Sequence, residues 1–102
     1  MMLSMSELLS DTELVAALAS LPGWEIEDGE LVKTYSFASY MDGIQFVTRL
    51  AERAETLGHH PDLLVGWRKV TVQLSTHSAD GLTPSDIRLA TEAEDCAASL
   101  RA

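Results

Sequence analysis

Cysteine occurs once, at Cys96, in a chain of 102 residues. A lone thiol closes no internal disulfide framework and leaves no cysteine cluster for zinc, which suits a reducing compartment. Basic residues are also scarce: 7 Lys and Arg stand against 16 Asp and Glu, a formal net charge of −9. Such a balance repels phosphate backbones, so no nucleic-acid partner is expected. Apolar runs stay far below the ~20 residues of a membrane span, so no membrane partner is expected either. Met1 to Ser10 contain no Lys or Arg and therefore lack the basic start of a signal peptide. The expected location is cytoplasmic. Repeats, low-complexity tracts and Gly/Ser/Pro linkers are missing too. A flexible N-terminus over residues 1–9 and one domain over residues 10–102 are expected. A domain of this size buries roughly two-thirds of its unfolded surface and holds together without metal or disulfide. No phosphate-cradling glycine loop and no hydrolase-like Ser/His/Asp order occur. Composition does not choose between an enzyme and a binding module.

What is present is a clear succession of periodic segments. Ser10-Asp11-Thr12-Glu13 forms a capping box, and Leu14, Val15, Leu18 and Leu21 follow at helical spacing until Pro22-Gly23. Trp24 to Glu27 and Leu31 to Phe37 read as strands joined by an Asp28-Gly29 hairpin turn, with Leu31, Lys33, Tyr35 and Phe37 on one face. Ser39 caps a second helix to about Leu57, whose stripe is Ile44, Val47, Leu50, Ala51 and Ala54 with Phe46 on the flank; Gly58 is its C-cap. Leu63, Val65 and Trp67 alternate, as do Val70, Val72 and Leu74, so two half-buried strands are expected. A tight turn at Arg68-Lys69 would pair Trp67 with Val70, Val65 with Val72 and Leu63 with Leu74. Thr83-Pro84-Ser85-Asp86 starts a third helix, with Ile87, Ala90, Ala93 and Ala97 buried. The order α-β-β-α-β-β-α predicts an α+β fold: a four-stranded antiparallel sheet with three helices on one face.

The chemistry-bearing residues are the three histidines, His59, His60 and His77. Extending the expected pairing beyond Leu63 and Leu74 sets His60 opposite His77, so all three converge at one end of the second hairpin. Pro61 forces His60 out of the helical region, and the kink lets both adjacent imidazoles address one cleft. Glu55, four residues before His59, is placed to orient it. Taken singly, a histidine beside a loop is usually solvated or structural, and His-His-Pro can be no more than a helix stop. Three that meet favour proton transfer, because imidazole titrates near neutrality. A zinc site fits less well, since adjacent histidines do not readily share one metal and no cysteine cluster supports them. Ser75 and Thr76 are candidate hydrogen-bond donors beside His77, although hydroxyls on the outer face of a strand are usually solvated. Cys96, among Glu92, Glu94 and Asp95, is a poor nucleophile because nearby negative charge disfavours a thiolate.

The spacing Glu55, His59-His60-Pro61, Trp67, His77, Asp86 resembles the signature of the pterin-4a-carbinolamine dehydratase family. Gly23-Trp24, Leu31 to Phe37, Phe46, Ala54-Glu55, Ser75-Thr76-His77 and Gly81-Leu82-Thr83 are similar to the same pattern, from about Leu14 to Ala98. Trp67 stands where tyrosine is more usual, and Leu63-Leu64 where relatives often carry an aromatic residue. The resemblance implies a hydro-lyase that converts 4a-hydroxytetrahydropterin to quinonoid dihydropterin in tetrahydrobiopterin recycling, with no metal and no organic cofactor. It implies His59 and His77 as acid and base candidates and His60 chiefly as a pterin ligand. Glu55 and Asp86 would orient histidines, and Trp24, Pro61, Ser75 and Thr76 would shape or line the site. Its members form homodimers and homotetramers. Some relatives are non-enzymatic dimerisation or assembly partners, and the presence of all three histidines favours the enzyme.

Overall fold

The computed structural model describes residues 7–100, in the order α1 (Asp11–Leu18), β1 (Glu25–Glu27), β2 (Glu30–Ser36), α2 (Tyr40–Leu57), β3 (Asp62–Val65), β4 (Lys69–Leu74) and α3 (Pro84–Ala97). The strands form one antiparallel sheet ordered β1-β2-β4-β3. This is the α+β architecture expected from the pattern of segments. Residues 1–6 of the expected flexible N-terminus lie outside the described residues, while the Leu9 N–H donates to the Leu82 carbonyl at 2.9 Å.

Helix α1 opens on the capping box: Ser10 Oγ accepts the Glu13 N–H at 3.2 Å, and Glu13 Oε1 accepts the Ser10 N–H at 2.8 Å. It ends at Leu18, well before Pro22. Leu14 and Leu18 rest against the core and Leu21 is buried, but Val15 is 71% exposed. Val15 is one step further round the helix, off the stripe made by positions 14, 18 and 21. In the first hairpin, Asp28 and Gly29 have φ of +50° and +78°. A two-residue turn of this hand matches the twist of its strands.

In α2 the buried residues are Gly43, Phe46, Leu50 and Ala54. The stripe is therefore rotated from the expected one: Phe46 is central, Ile44 is marginal and Ala51 is exposed. The aromatic ring sets the facing, packing against Tyr35 and Phe37 at centroid distances of 4.9 and 5.3 Å. Gly58, at φ +66°, closes the helix in the left-handed region that glycine enters without strain.

The second hairpin differs from expectation by two residues. Leu63 pairs with Val72 and Val65 with Val70. Gly66 N–H donates to the Lys69 carbonyl at 2.7 Å, which puts Trp67 and Arg68 at the tip of the turn. Trp67 is 74% exposed there, under the Arg68 guanidinium at 4.7 Å. A two-residue slip leaves every side chain on its original face, so alternation alone cannot detect it. Strand β3 is also an edge, with Leu64 and Val65 exposed and Leu63 half-buried.

Helices α2 and α3 cover the face that carries Leu31, Tyr35, Val70, Val72 and Leu74, all buried. Helix α3 contributes Leu89, Ala90, Ala93, Cys96 and Ala97; Leu89 and Cys96 lay outside the expected stripe, and Ile87 is only half-buried. Between β4 and α3 the chain makes a 3₁₀ turn at His77–Ala79, flanked by a bridge between Thr76 and Gly81.

Candidate active site

The histidines belong to one end of the β3–β4 hairpin, opposite its Trp67-Arg68 tip. His59 and His60 precede β3 and His77 follows β4, so the antiparallel pairing brings their backbones to the same side. The observed register, continued outward, sets His59 level with Thr76 and His60 level with Ser75. The expected His60–His77 pairing is not what the register gives.

His59 is the most constrained of the three. Its Nε2 lies 2.6 Å from Asp86 Oδ1, with the ring 16% exposed and the carboxylate fully buried. Asp86 occupies the first turn of α3, where a negative charge is favoured by the helix dipole. Its Oδ2 accepts the Thr83 N–H at 2.9 Å and the Thr76 hydroxyl at 2.8 Å. Thr76 Oγ1 is in turn 2.7 Å from Thr83 Oγ1. Thr76, Thr83 and Asp86 are all buried, and among the described residues no buried side-chain polar atom is left unpaired. The network joins the end of β4 to the start of α3 and holds the ring that leaves α2.

Glu55 was expected to orient His59, yet it contacts His60: His60 Nε2 and Glu55 Oε2 form a close pair on the surface, both side chains more than half exposed. The reversal at Gly58 explains the exchange. His59 N–H donates back to the Ala54 carbonyl at 3.1 Å, so residue 59 no longer projects along the helical i, i+4 row. Pro61 is half-buried between His60 and β3.

Two cavities flank this end. The imidazoles do not share one: a cavity of about 230 Å³ is lined by Ser75, Thr76 and His77 with Asp28, Glu30 and Asp80. A second, of about 220 Å³, is lined by His59 with Leu57, Ser85 and Arg88. Thr76 stands between them, lining the first and bonding to the carboxylate that holds His59. Among the described residues, no three His, Cys, Asp or Glu side chains converge as a metal site.

Trp24 lines neither cavity. It is buried, meets Tyr35 edge-on at 6.2 Å, and donates from Nε1 to Glu94 Oε2 at 3.2 Å. The same oxygen accepts Lys33 Nζ at 2.7 Å and the Tyr35 hydroxyl. This cluster is not legible in the sequence because Glu94 lies 59 to 70 residues from Tyr35, Lys33 and Trp24 and the four follow no motif. Thr83 was read only as a helix cap; its spacing to Asp86 was the one signal that it belongs with the site. Cys96 is buried, and burial pushes its thiol up, with Asp95 and Glu92 adding to the effect and Arg53 opposing it. Burial thus outranks the acidic neighbours as the reason it is a poor nucleophile.

The profile of the family described as pterin 4 alpha carbinolamine dehydratase matches residues 7–96. A chain from Mycobacteroides abscessus named "Putative pterin-4-alpha-carbinolamine dehydratase" is 49% identical over 83 residues, 81% of this chain and 88% of that one. One of the same name from Nocardia farcinica is 47% identical over 92 residues, 90% of this chain and 97% of that one. A crystal structure titled as a transcriptional coactivator/pterin dehydratase from Brucella melitensis superposes with a TM-score of 0.84 at 32% identity, covering 87% of this chain and 97% of that one. A pterin dehydratase-like protein titled as a RuBisCO assembly factor shares the fold, with a TM-score of 0.61 at 24% identity over 72% of this chain and 86% of that one.

Proposed function

Because the chain belongs to the pterin 4 alpha carbinolamine dehydratase family, we propose that it dehydrates a 4a-hydroxytetrahydropterin to the quinonoid dihydropterin, in tetrahydropterin recycling. The observation that carries this reading is the His59–Asp86 pair: an imidazole 2.6 Å from a buried carboxylate, at the lip of a cavity. The elimination delivers one proton to the departing 4a-hydroxyl, which leaves as water, and removes one from a ring nitrogen. The proton count balances with no redox partner. In this reading His59 and His77 transfer the protons, and His60 with its Glu55 partner binds the pterin. Asp86 orients His59, while Ser75, Thr76 and Pro61 shape the approach. Trp24 acts at a distance, through the packing of β2 against α3.

Imidazoles suffice for both transfers, so turnover is expected to survive dialysis against a strong chelator. Loss of activity that zinc restores would refute metal independence. The direct test is a spectroscopic assay with synthetic 4a-hydroxytetrahydropterin, read against its spontaneous dehydration. A rate no faster than the uncatalysed one overturns the proposal and favours the alternative, a non-enzymatic dimerisation or assembly partner on this fold, a fold shared with a protein titled as a RuBisCO assembly factor.

The working form is proposed as a cytoplasmic homodimer or homotetramer. Edge strand β3 offers unpaired backbone beside exposed Leu64, Val65 and Trp67. Sedimentation should give a mass of two or four chains; a monomer at micromolar concentration would contradict this. No helix among the described residues is long and apolar enough to cross a membrane.

A further inference from the structure

The hydrogen-bond directions around Asp86 can be worked out from its neighbours. An ionised carboxylate only accepts, and a threonine hydroxyl has one proton to give. Thr76 therefore donates to Asp86 Oδ2 at 2.8 Å. With that proton spent, the 2.7 Å contact between the two hydroxyls is donated by Thr83 to Thr76. The Thr83 N–H supplies a second donor to Oδ2 at 2.9 Å. Oδ1 is left for His59 Nε2 at 2.6 Å.

We propose that Thr83 and Thr76 are positioning residues that fix the orientation of Asp86, so that neutral His59 carries its proton on Nε2 and keeps Nδ1 as the ring atom that exchanges protons. The consequence for turnover rests on the dehydratase reading. The tautomer itself is a property of the chain without ligand. The two ring nitrogens of a histidine are chemically distinct, and the bond made by one decides the state of the other. Here the deciding bond is made deep in the protein, by a carboxylate whose second oxygen is already committed to two donors.

Replacement of Asp86 by asparagine turns this into a sharp test. An amide has one acceptor oxygen and one donor nitrogen. Thr76 O–H and Thr83 N–H both demand an acceptor at the Oδ2 position, so the amide oxygen settles there. The amide nitrogen then faces His59, whose Nε2 must accept, and the proton moves to Nδ1. A side chain that merely filled space would produce no such inversion.

The measurement is a long-range ¹H–¹⁵N correlation spectrum of the labelled full chain, taken about two pH units above the ~6.5 of free imidazole. The parent should show His59 protonated at Nε2, and Asp86→Asn should show it protonated at Nδ1. In Thr76→Val/Asp86→Asn one of the two donors is gone, and both tautomers should appear together. Thermal melting of each variant confirms that it is folded. Nδ1 protonation in the parent, or Nε2 protonation retained in folded Asp86→Asn, overturns the proposal. Should Asp86→Asn not fold, the parent spectrum still decides. A chain without dehydratase activity but with the Nε2–H tautomer leaves this inference standing, and the reverse result leaves the dehydratase reading standing.

Discussion

At the scale of single residues, chemistry and burial separate the titratable groups into two kinds. Cys96 is of the buried kind, its thiol raised by desolvation first and by Asp95 and Glu92 next. A thiol whose folded value lies above its unfolded one stabilises the fold fully below the unfolded value of ~8.5. That contribution is lost as pH climbs from there through the folded value, because the unfolded chain ionises first. Stability of the parent should therefore fall more steeply above about pH 8.5 than that of Cys96→Ala, in paired denaturant titrations. Identical slopes would contradict the assignment. His59 and His77 are of the other kind, at the ends of elements: His59 is held against buried Asp86 with part of its ring still exposed, and His77 is exposed. His59→Ala and His77→Ala should each lower turnover by about 10²–10⁴-fold, or about 3–5 kcal/mol of barrier. A neighbouring imidazole or water can blunt either loss, so the double variant should be slower than both. A folded double variant that dehydrates pterin at the parental rate would make these histidines structural.

At the scale of elements, the pattern that was legible in sequence is the one that local rules dictate. Ser10 to Glu13, Asp28-Gly29, Ser39, Gly58 and Thr83 to Asp86 each mark an element end through backbone geometry, and each stands at the end it marks. The positions that depend on distant neighbours were less legible. The hairpin register was two residues off because both registers keep the same faces, and the turn that decides between them has no Asn-Gly. Glu55 was matched to the wrong histidine because the left-handed turn at Gly58 removes His59 from the helical row. Topology alone brings the three histidines to one end of the hairpin in spite of both errors, but the one cleft expected there is not shared: His59 and His77 line different cavities. Glu94 is the clearest non-local case. One oxygen on α3 receives Lys33 and Tyr35 from β2 and Trp24 from the entry to β1, so it ties three elements together. The Lys33 and Glu94 side chains are only 11% and 20% exposed, so truncating the acid leaves an under-compensated cation in the interior. Glu94→Ala should cost on the order of 3 kcal/mol in chemical denaturation. A loss below about 1 kcal/mol would place this pair with ordinary surface ion pairs.

At the scale of the whole molecule, the excess of acids sets up a field that local pairs only partly relieve. Lys33, Arg53 and Arg88 are all drawn to acids of α3, namely Glu94, Glu92 and Asp95. At the tip of the first hairpin Glu25, Glu27, Asp28 and Glu30 lie within six residues, Glu27 stands directly opposite Glu30, and among the described residues no cation pairs with these acids. Like charges in that position oppose pairing. Asp28, Glu30 and Asp80 also line the cavity beside His77, so the same field reaches the proposed site and disfavours anionic ligands there. Screening should then stabilise the fold, against the usual expectation for a protein held by surface ion pairs. The Debye length falls from about 30 Å at 0.01 M to about 8 Å at 0.15 M salt, shorter than most distances across the domain. Relief of about 0.5 kcal/mol would raise the melting temperature by roughly 2–4 °C over that range, since 1 kcal/mol shifts a domain of this size by about 4–8 °C. Glu27→Lys should raise the melting temperature at low salt and flatten its salt dependence, because it replaces a repulsive cross-strand pair with an attractive one. A melting temperature that falls with added sodium chloride would show that the paired charges of α3 outweigh the net charge of −9.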